Sequence, residues 1–236
     1  MLFSTTAQKI LTWWSLLALV AFGLSWMFLL EMVPPPPATL NAAQIAAIYL
    51  ARAAHILDGA AITSWTGGFL IPLSCVLTAQ MVRLQKAWSI WSMMQLVGGV
   101  MTSLWLSLPT IFWGAAAFQP DRAIDATMLA NQLGALTMVT TDQYYMYWLV
   151  PIAVICLTVP YQDDSPFPRW LGYLTIFETL ALSPGPFAFL FKSGLFAWNG
   201  LLVLFIPLFS FFIWMAFVFW QLLRALGRQN DAGTLV

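Results

Sequence analysis

The chain has 236 residues, of which 61% are hydrophobic and only 8% charged, with a net charge of zero. That composition excludes an ordinary soluble domain, and the absence of any basic cluster excludes nucleic acid as a partner. Apolar runs near the roughly 20 residues needed to cross a bilayer recur along the sequence and leave no soluble domain over, so positions 1–236 form a single transmembrane domain.

In chain order, the runs predict an all-α polytopic transmembrane bundle of about six spans plus an interfacial helix. The runs are continuous rather than alternating, which favours helices over a barrel. The first span is about Ile10 to Leu30, a retained signal-anchor rather than a cleaved leader, since no small-residue cleavage site follows it. Pro34 to Pro37 come next, predicted as a stiff extended spacer, with a docking segment as the alternative. An apolar-rich helix is expected over 41–57, capped by Asn41 and lying on the outer surface before the chain turns inward at Gly59. Its Arg52, His55 and Asp58 are three residues apart and share one face, a candidate outer polar cluster or an interfacial ion-pair network.

Span two is expected at Ala60 to Met81 and span three at Trp88 to Phe112. Span three carries a small-residue stripe, Gly99, Ser103 and Ser107, whose four-residue spacing signals close helix packing or an oligomer contact. Ala126 to Pro160 would make a helix of about 50 Å, well beyond a hydrocarbon thickness of roughly 30 Å. Span four is therefore placed at Met138 to Val159, with Ala126 to Leu136 in the interface or broken from it. Asp142 and Gln143 then sit at its outer end among Tyr144, Tyr145, Tyr147 and Trp148, as part of an interfacial aromatic belt. If the stretch is one long helix instead, Asp142 moves deeper and becomes a site.

Span five, about Trp170 to Phe191, holds Glu178 near its middle. An ionisable group at that depth is a functional-site hypothesis by default. Its two readings are a proton carrier or acceptor for a ligand's polar head, and a neutral carboxyl hydrogen-bonded to a neighbouring helix. Ser183-Pro184-Gly185-Pro186 follows it, and two prolines there break the helix beside the acid, as in transporter binding sites, or simply end it early. The loop up to Gly200 presents Lys192, Trp198 and Asn199, either as a lid over a cavity or as an interfacial hairpin. Span six is about Gly200 to Leu223, and 224–236 are expected as a cytoplasmic tail.

Lys9, Arg83, Lys86, Arg169, Arg224 and Arg228 fall on one side of these spans, and Arg52, Arg122 and Lys192 on the other. The positive-inside rule then puts both termini in the cytoplasm. Cys75 and Cys156 lie within spans and are expected free and buried.

A single histidine excludes bis-His haem and His-rich di-iron sites within this chain, and no C-x-x-C, P-loop or G-x-S-x-G pattern occurs. Span six has no lysine for a retinal Schiff base. No cofactor, metal site or catalytic residue is expected. The candidate ligand-binding or proton-carrying residues are Glu178, Asp142, Lys192, Trp198 and Asn199. The leading function is an integral membrane carrier or channel-like binder of a small hydrophobic or amphipathic molecule, proton-linked through Glu178. The alternative is a non-catalytic accessory or scaffold subunit of a membrane complex. Expected partners are membrane lipid, a hydrophobic small molecule, and further copies or other membrane subunits.

Phe191, Lys192, Gly194, Phe196, Ala197, Trp198, Asn199 and Gly200 spell Phe-Lys-x-Gly-x-Phe-Ala-Trp-Asn-Gly. This segment resembles one found in bacterial six-span inner-membrane proteins of unassigned activity. Pro168-Arg169-Trp170-x-Gly172-Tyr173, and Arg83 after span two, are similar as well. The likeness covers most of the chain in layout, and its specific motifs lie from Pro168 onward. It implies a helical, multi-pass inner-membrane protein and no particular reaction, and Glu178 is not part of its pattern.

Overall fold

The structure, a computed structural model, describes residues 4–233, with side chains as far as Gln229. The described residues form eight α-helices and no strand: α1 (Thr5–Phe28), α2 (Ala42–Thr66), α3 (Leu70–Gln85), α4 (Ile90–Phe118), α5 (Ile124–Thr140), α6 (Met146–Thr158), α7 (Arg169–Leu182) and α8 (Ile206–Gly233). Tight 3-10 turns at Gly67–Phe69, Asp142–Tyr145 and Gly185–Phe189, and a π turn at Leu201–Phe205, lie between or beside them. Four helical stretches are long and apolar enough to cross a membrane: Thr5–Phe28, Ala42–Gln85, Ile90–Phe118 and Leu201–Gln229.

Expectation and structure part at three places. The segment 41–57 is not a separate surface helix. It runs through Gly59 and the 3-10 turn at Gly67–Phe69 into one 44-residue stretch, Ala42–Gln85. At 1.5 Å per residue that is about 66 Å, twice a bilayer core. Asn41 does cap it, accepting from the Gln44 N–H at 3.0 Å, and the Gln44 side chain returns the bond. Gly59 is a contact point rather than a break: a Cβ there would lie 2.8 Å from the Leu30 backbone nitrogen. The protruding half is held by α5, where the Tyr49 hydroxyl donates to Asn131 at 3.0 Å.

Secondly, the break expected between Ala126–Leu136 and span four falls later in the chain, at Thr141–Tyr145, where four residues take 3-10 geometry between α5 and α6. Thirdly, the expected tail from 224 is helical, since α8 continues through Gly233; residues 234–236 lie outside the described residues. Cys75 and Cys156 are both free, but Cys75 is exposed on the helix surface and only Cys156 is buried.

The basic residues sort by end of the bundle. At one end the Gln80 amide donates to Gln8 at 2.7 Å and exchanges bonds with Gln229, while Arg83 meets Asp164 at 2.7 Å and Arg228 holds the Asp163 carbonyl. At the other end Arg52 pairs with Glu31 at 2.8 Å.

The small-residue stripe on α4 faces helices, not lipid. A Cβ on Gly99 would collide with the Ser74 side chain of α3, and one on Gly98 would stand 2.5 Å from the Tyr147 carbonyl carbon. Ser103 is buried, and Ser107 fills the space left by the missing Cβ of Gly67. Gly99→Leu and Ser103→Leu are therefore expected to cost about 1–3 kcal/mol through overpacking. Val97→Leu, at a position 63% exposed, is the matched control. Thermal unfolding in detergent that leaves all three variants unchanged would show that the stripe faces lipid.

Candidate functional site

The site is built where α5 and α7 lose regular helix. α5 ends at Thr140, with the Thr141 hydroxyl turned back to the Thr137 carbonyl at 2.8 Å, and the 3-10 turn that follows begins with Asp142. A 3-10 piece inside a longer helix re-aims its side chains and often marks a functional point. Here it turns Asp142 inward, leaving it 8% exposed. Asp142 is therefore buried rather than a surface acid of an aromatic belt, although the helix is broken here rather than continuous.

α7 brings the second acid. The Trp214 indole of α8 donates to the Thr175 hydroxyl at 2.8 Å, which fixes the register of these antiparallel helices. One turn further along both, Glu178 faces Ser210. The Ser210 hydroxyl already donates to the Ile206 carbonyl at 2.8 Å. Glu178 is 0% exposed, and neither carboxyl oxygen has a hydrogen-bond partner among the described residues. It thus faces the interior as expected, and Ser210 of α8 is the neighbouring-helix hydroxyl that the packing alternative calls for.

After Leu182 the Ser183-Pro184-Gly185-Pro186 sequence ends α7, and the chain continues as a 3-10 turn, Gly185–Phe189. This turn closes directly on the end of α5. A Cβ at Gly185 would overlap the Val139 carbonyl and lie 3.1 Å from the Asp142 carboxyl. Glycine is required there for close approach. The broken end of α7 thus presses against Asp142, one element removed from Glu178.

Asp142 also lines a cavity of about 80 Å³ between α1 and α8. Its walls are otherwise apolar or aromatic, including Phe22, Trp26, Phe69, Tyr145 and Phe211. Phe22 packs on Trp26 and Phe69 at 5.3 and 5.5 Å between ring centroids, and Tyr145 meets Phe211 edge-on at 5.5 Å. Glu178 does not line the cavity; Asp142 is its one carboxyl group.

The remaining candidates lie elsewhere. Lys192 is exposed and Asn199 half-buried in the loop before α8, and neither lines the cavity. Trp198 is buried and donates to the Pro36 carbonyl at 2.9 Å, so the proline segment is a docking surface as well as a spacer. Trp198 packs in a small cluster with Val139 and Val203, both of which line the cavity, and so supports the site from behind. The outer trio does not assemble as a cluster: Arg52 reaches Glu31, while His55 and Asp58 are exposed without a hydrogen bond or ion pair. Their shared face is real, but the acid just past α1 is the better-placed partner. No group of three or more His, Cys, Asp or Glu side chains converges among the described residues.

Sequence reasoning missed Tyr145, Ser210, Gly23 and Phe211. Ser210 carried a faint signal, as a lone hydroxyl in a Phe-rich span. Tyr145 was visible only as one of several belt aromatics. No family, curated protein or solved structure matches this chain.

Glu178 yields a direct stability test. A buried polar group without a partner carries its full desolvation cost. Since Ser210 is satisfied by the backbone, removing the carboxyl orphans nothing. Glu178→Leu is expected to leave thermal stability unchanged or to raise it by about 1 kcal/mol, and Glu178→Gln to preserve the fold. A loss of stability in Glu178→Leu by unfolding in detergent would mean the carboxyl has a structural partner.

Proposed function

We propose that this chain is a multi-pass membrane protein that binds or carries a small hydrophobic or amphipathic molecule in the cavity between α1 and α8. Asp142 receives the molecule's polar end, and Glu178, behind it, supplies the proton-linked group. The observation that carries this is a carboxyl group, buried and without a partner, on the wall of an otherwise apolar cavity. Buried ionisable groups in membrane helices are costly and mark ligand or ion pathways. Binding pockets are typically apolar with a few placed polar groups.

The membrane arrangement that goes with this reading has six crossings: α1, α2 with α3, α4, α5 with α6, α7 and α8. α6 and α7 are short for a bilayer, but each is extended by its adjoining turn. The sorting of Lys9, Arg83, Lys86, Arg169, Arg224 and Arg228 to one end supports a cytoplasmic placement of both termini in an inner membrane. Single cysteines at Lys86 and Pro37, in a chain lacking Cys75 and Cys156, should label from opposite sides. Labelling from one side would overturn the six-crossing arrangement.

Purification in neutral detergent followed by native mass spectrometry tests the binding role. A small molecule that co-purifies with the chain and is lost on Asp142→Asn, with melting unchanged, is the expected result. Stoichiometric recovery of another membrane subunit, with no small molecule, would favour a scaffold role instead.

A further inference from the structure

We propose that the polar end of the bound molecule is an organic cation, a protonated amine or quaternary ammonium, and that it reaches the cavity sideways from the lipid. This rests on the cavity being a binding site and names the class of molecule it takes.

The charge pattern selects a cation. Asp142 is more than nine-tenths buried, lines the cavity, and has no hydrogen bond or ion pair among the described residues. No lysine or arginine lines the cavity. The basic side chains of the outer half are occupied or remote: Arg52 is paired with Glu31, Arg122 donates to the Gln119 carbonyl at 3.1 Å, and Lys192 is exposed in its loop. An anionic head would meet a carboxyl group and no counter-charge. A cationic head would meet its complement in a dry site, where such a pairing is stronger than in water.

The walls select the same class. Phe22, Trp26, Phe69, Tyr145, Phe211 and Phe212 line the cavity. Aromatic faces attract ammonium groups through the ring quadrupole, most strongly for tryptophan, and aromatic walls with one carboxylate are how quaternary ammonium groups are held.

The opening selects a membrane-soluble molecule. Gly23 on α1 faces Phe212 on α8, whose ring would stand 3.6 Å from a Cβ at position 23. Val20, Leu24 and Met27 on α1, and Phe209 and Ile213 on α8, are the exposed apolar neighbours of this seam. The gap between the two helices therefore lies on the surface that faces hydrocarbon. A molecule passing it needs an apolar tail that stays in lipid and a head small enough for the cavity.

The test compares three probes with one tail: octyltrimethylammonium, octanol and octanoate, titrated against the full chain in a neutral maltoside detergent and followed by tryptophan fluorescence. The cation should bind on the order of tenfold tighter than the alcohol, with octanoate weakest. Asp142→Asn should reduce the cation to the affinity of the alcohol and leave the alcohol unchanged. Asp142→Ser is a second charge-free variant, and melting curves establish that each is folded. Gly23→Phe should weaken all three probes by filling the seam. Equal affinities on the unmodified chain, or tightest binding of octanoate, would overturn the cation while leaving the cavity as a binding site. Unchanged binding of all three in Gly23→Phe would remove the cavity itself. If neither Asp142 variant folds, the probe ranking on the unmodified chain decides.

Discussion

A polar group inside this fold has only the protein to bond with, because neither lipid nor an apolar core offers a partner. Some hydroxyls, most of them buried, obey that constraint locally. Thr12, Thr63, Thr175 and Thr179 each turn back to the carbonyl four residues earlier, at 2.7–2.8 Å. Ser15 and Ser25 of α1 instead cross to the carbonyls of Phe69 and Gly59, at 2.5 and 3.1 Å, and so tie α1 along the α2–α3 stretch. At the end of the bundle that holds Arg83, Gln8, Gln80 and Gln229 share their amides across three helices, and Arg83 adds Asp164. Several buried hydroxyls, among them Ser74, Thr102, Ser103 and Thr127, make no bond at all among the described residues; Asp142 and Glu178 differ from them in being ionisable.

The same constraint explains where glycine is used. Helices that share polar bonds across their axes must approach closely, and Gly98, Gly99 and Gly134 let them. A Cβ on Gly134 would strike the Trp113 indole, and one on Gly172 would lie 2.8 Å from the Cys156 side chain. These contacts fix α4 against α3, α5 and α6, and α7 against α6. The α1–α8 seam lacks an equivalent: the Gly23 position meets only the rim of one phenylalanine ring at ordinary contact distance. The bundle is therefore locked on one side and loosely closed on the other. That asymmetry suits a lateral opening better than a central channel.

Much of this could be read from the sequence because hydropathy reports burial in lipid directly. The helical class, the long apolar stretches at α1, α4 and α8, the packing role of Gly99 and the inward placement of Glu178 all follow from composition and spacing. What stayed hidden depended on contacts between distant segments. Arg52 could be placed on a face with His55 and Asp58 by counting, but its pairing with Glu31 depends on how α1 returns to α2. The segment 41–57 looked interfacial because its apolar face is ordinary in strength; its burial comes from α5 and from Tyr49 bonding Asn131, 82 positions away. Asp142 was legible as a candidate but not as buried, since its burial depends on where the break between α5 and α6 falls and what packs on it. The cavity could not be read at all, being a gap between α1 and α8, the first and last helices.

The irregular backbone of this fold is not scattered. The 3-10 turn at Gly67–Phe69 supplies Phe69 to the cavity wall, the turn at Asp142–Tyr145 supplies both of its end residues, and the π turn at Leu201–Phe205 supplies Val203 and Leu204. The turn at Gly185–Phe189 places Gly185 against Asp142 without lining the space itself. Four departures from α-helix, from four different parts of the chain, thus converge on one place. Irregular backbone at membrane depth is tolerated where it is buried in protein or lines a cavity. Each interruption also gives up regular helical hydrogen bonding, a cost that a purely structural bundle has no reason to concentrate. Their convergence on a carboxyl group without a partner, beside the α1–α8 seam, is the pattern of a binding site built between helices rather than within one.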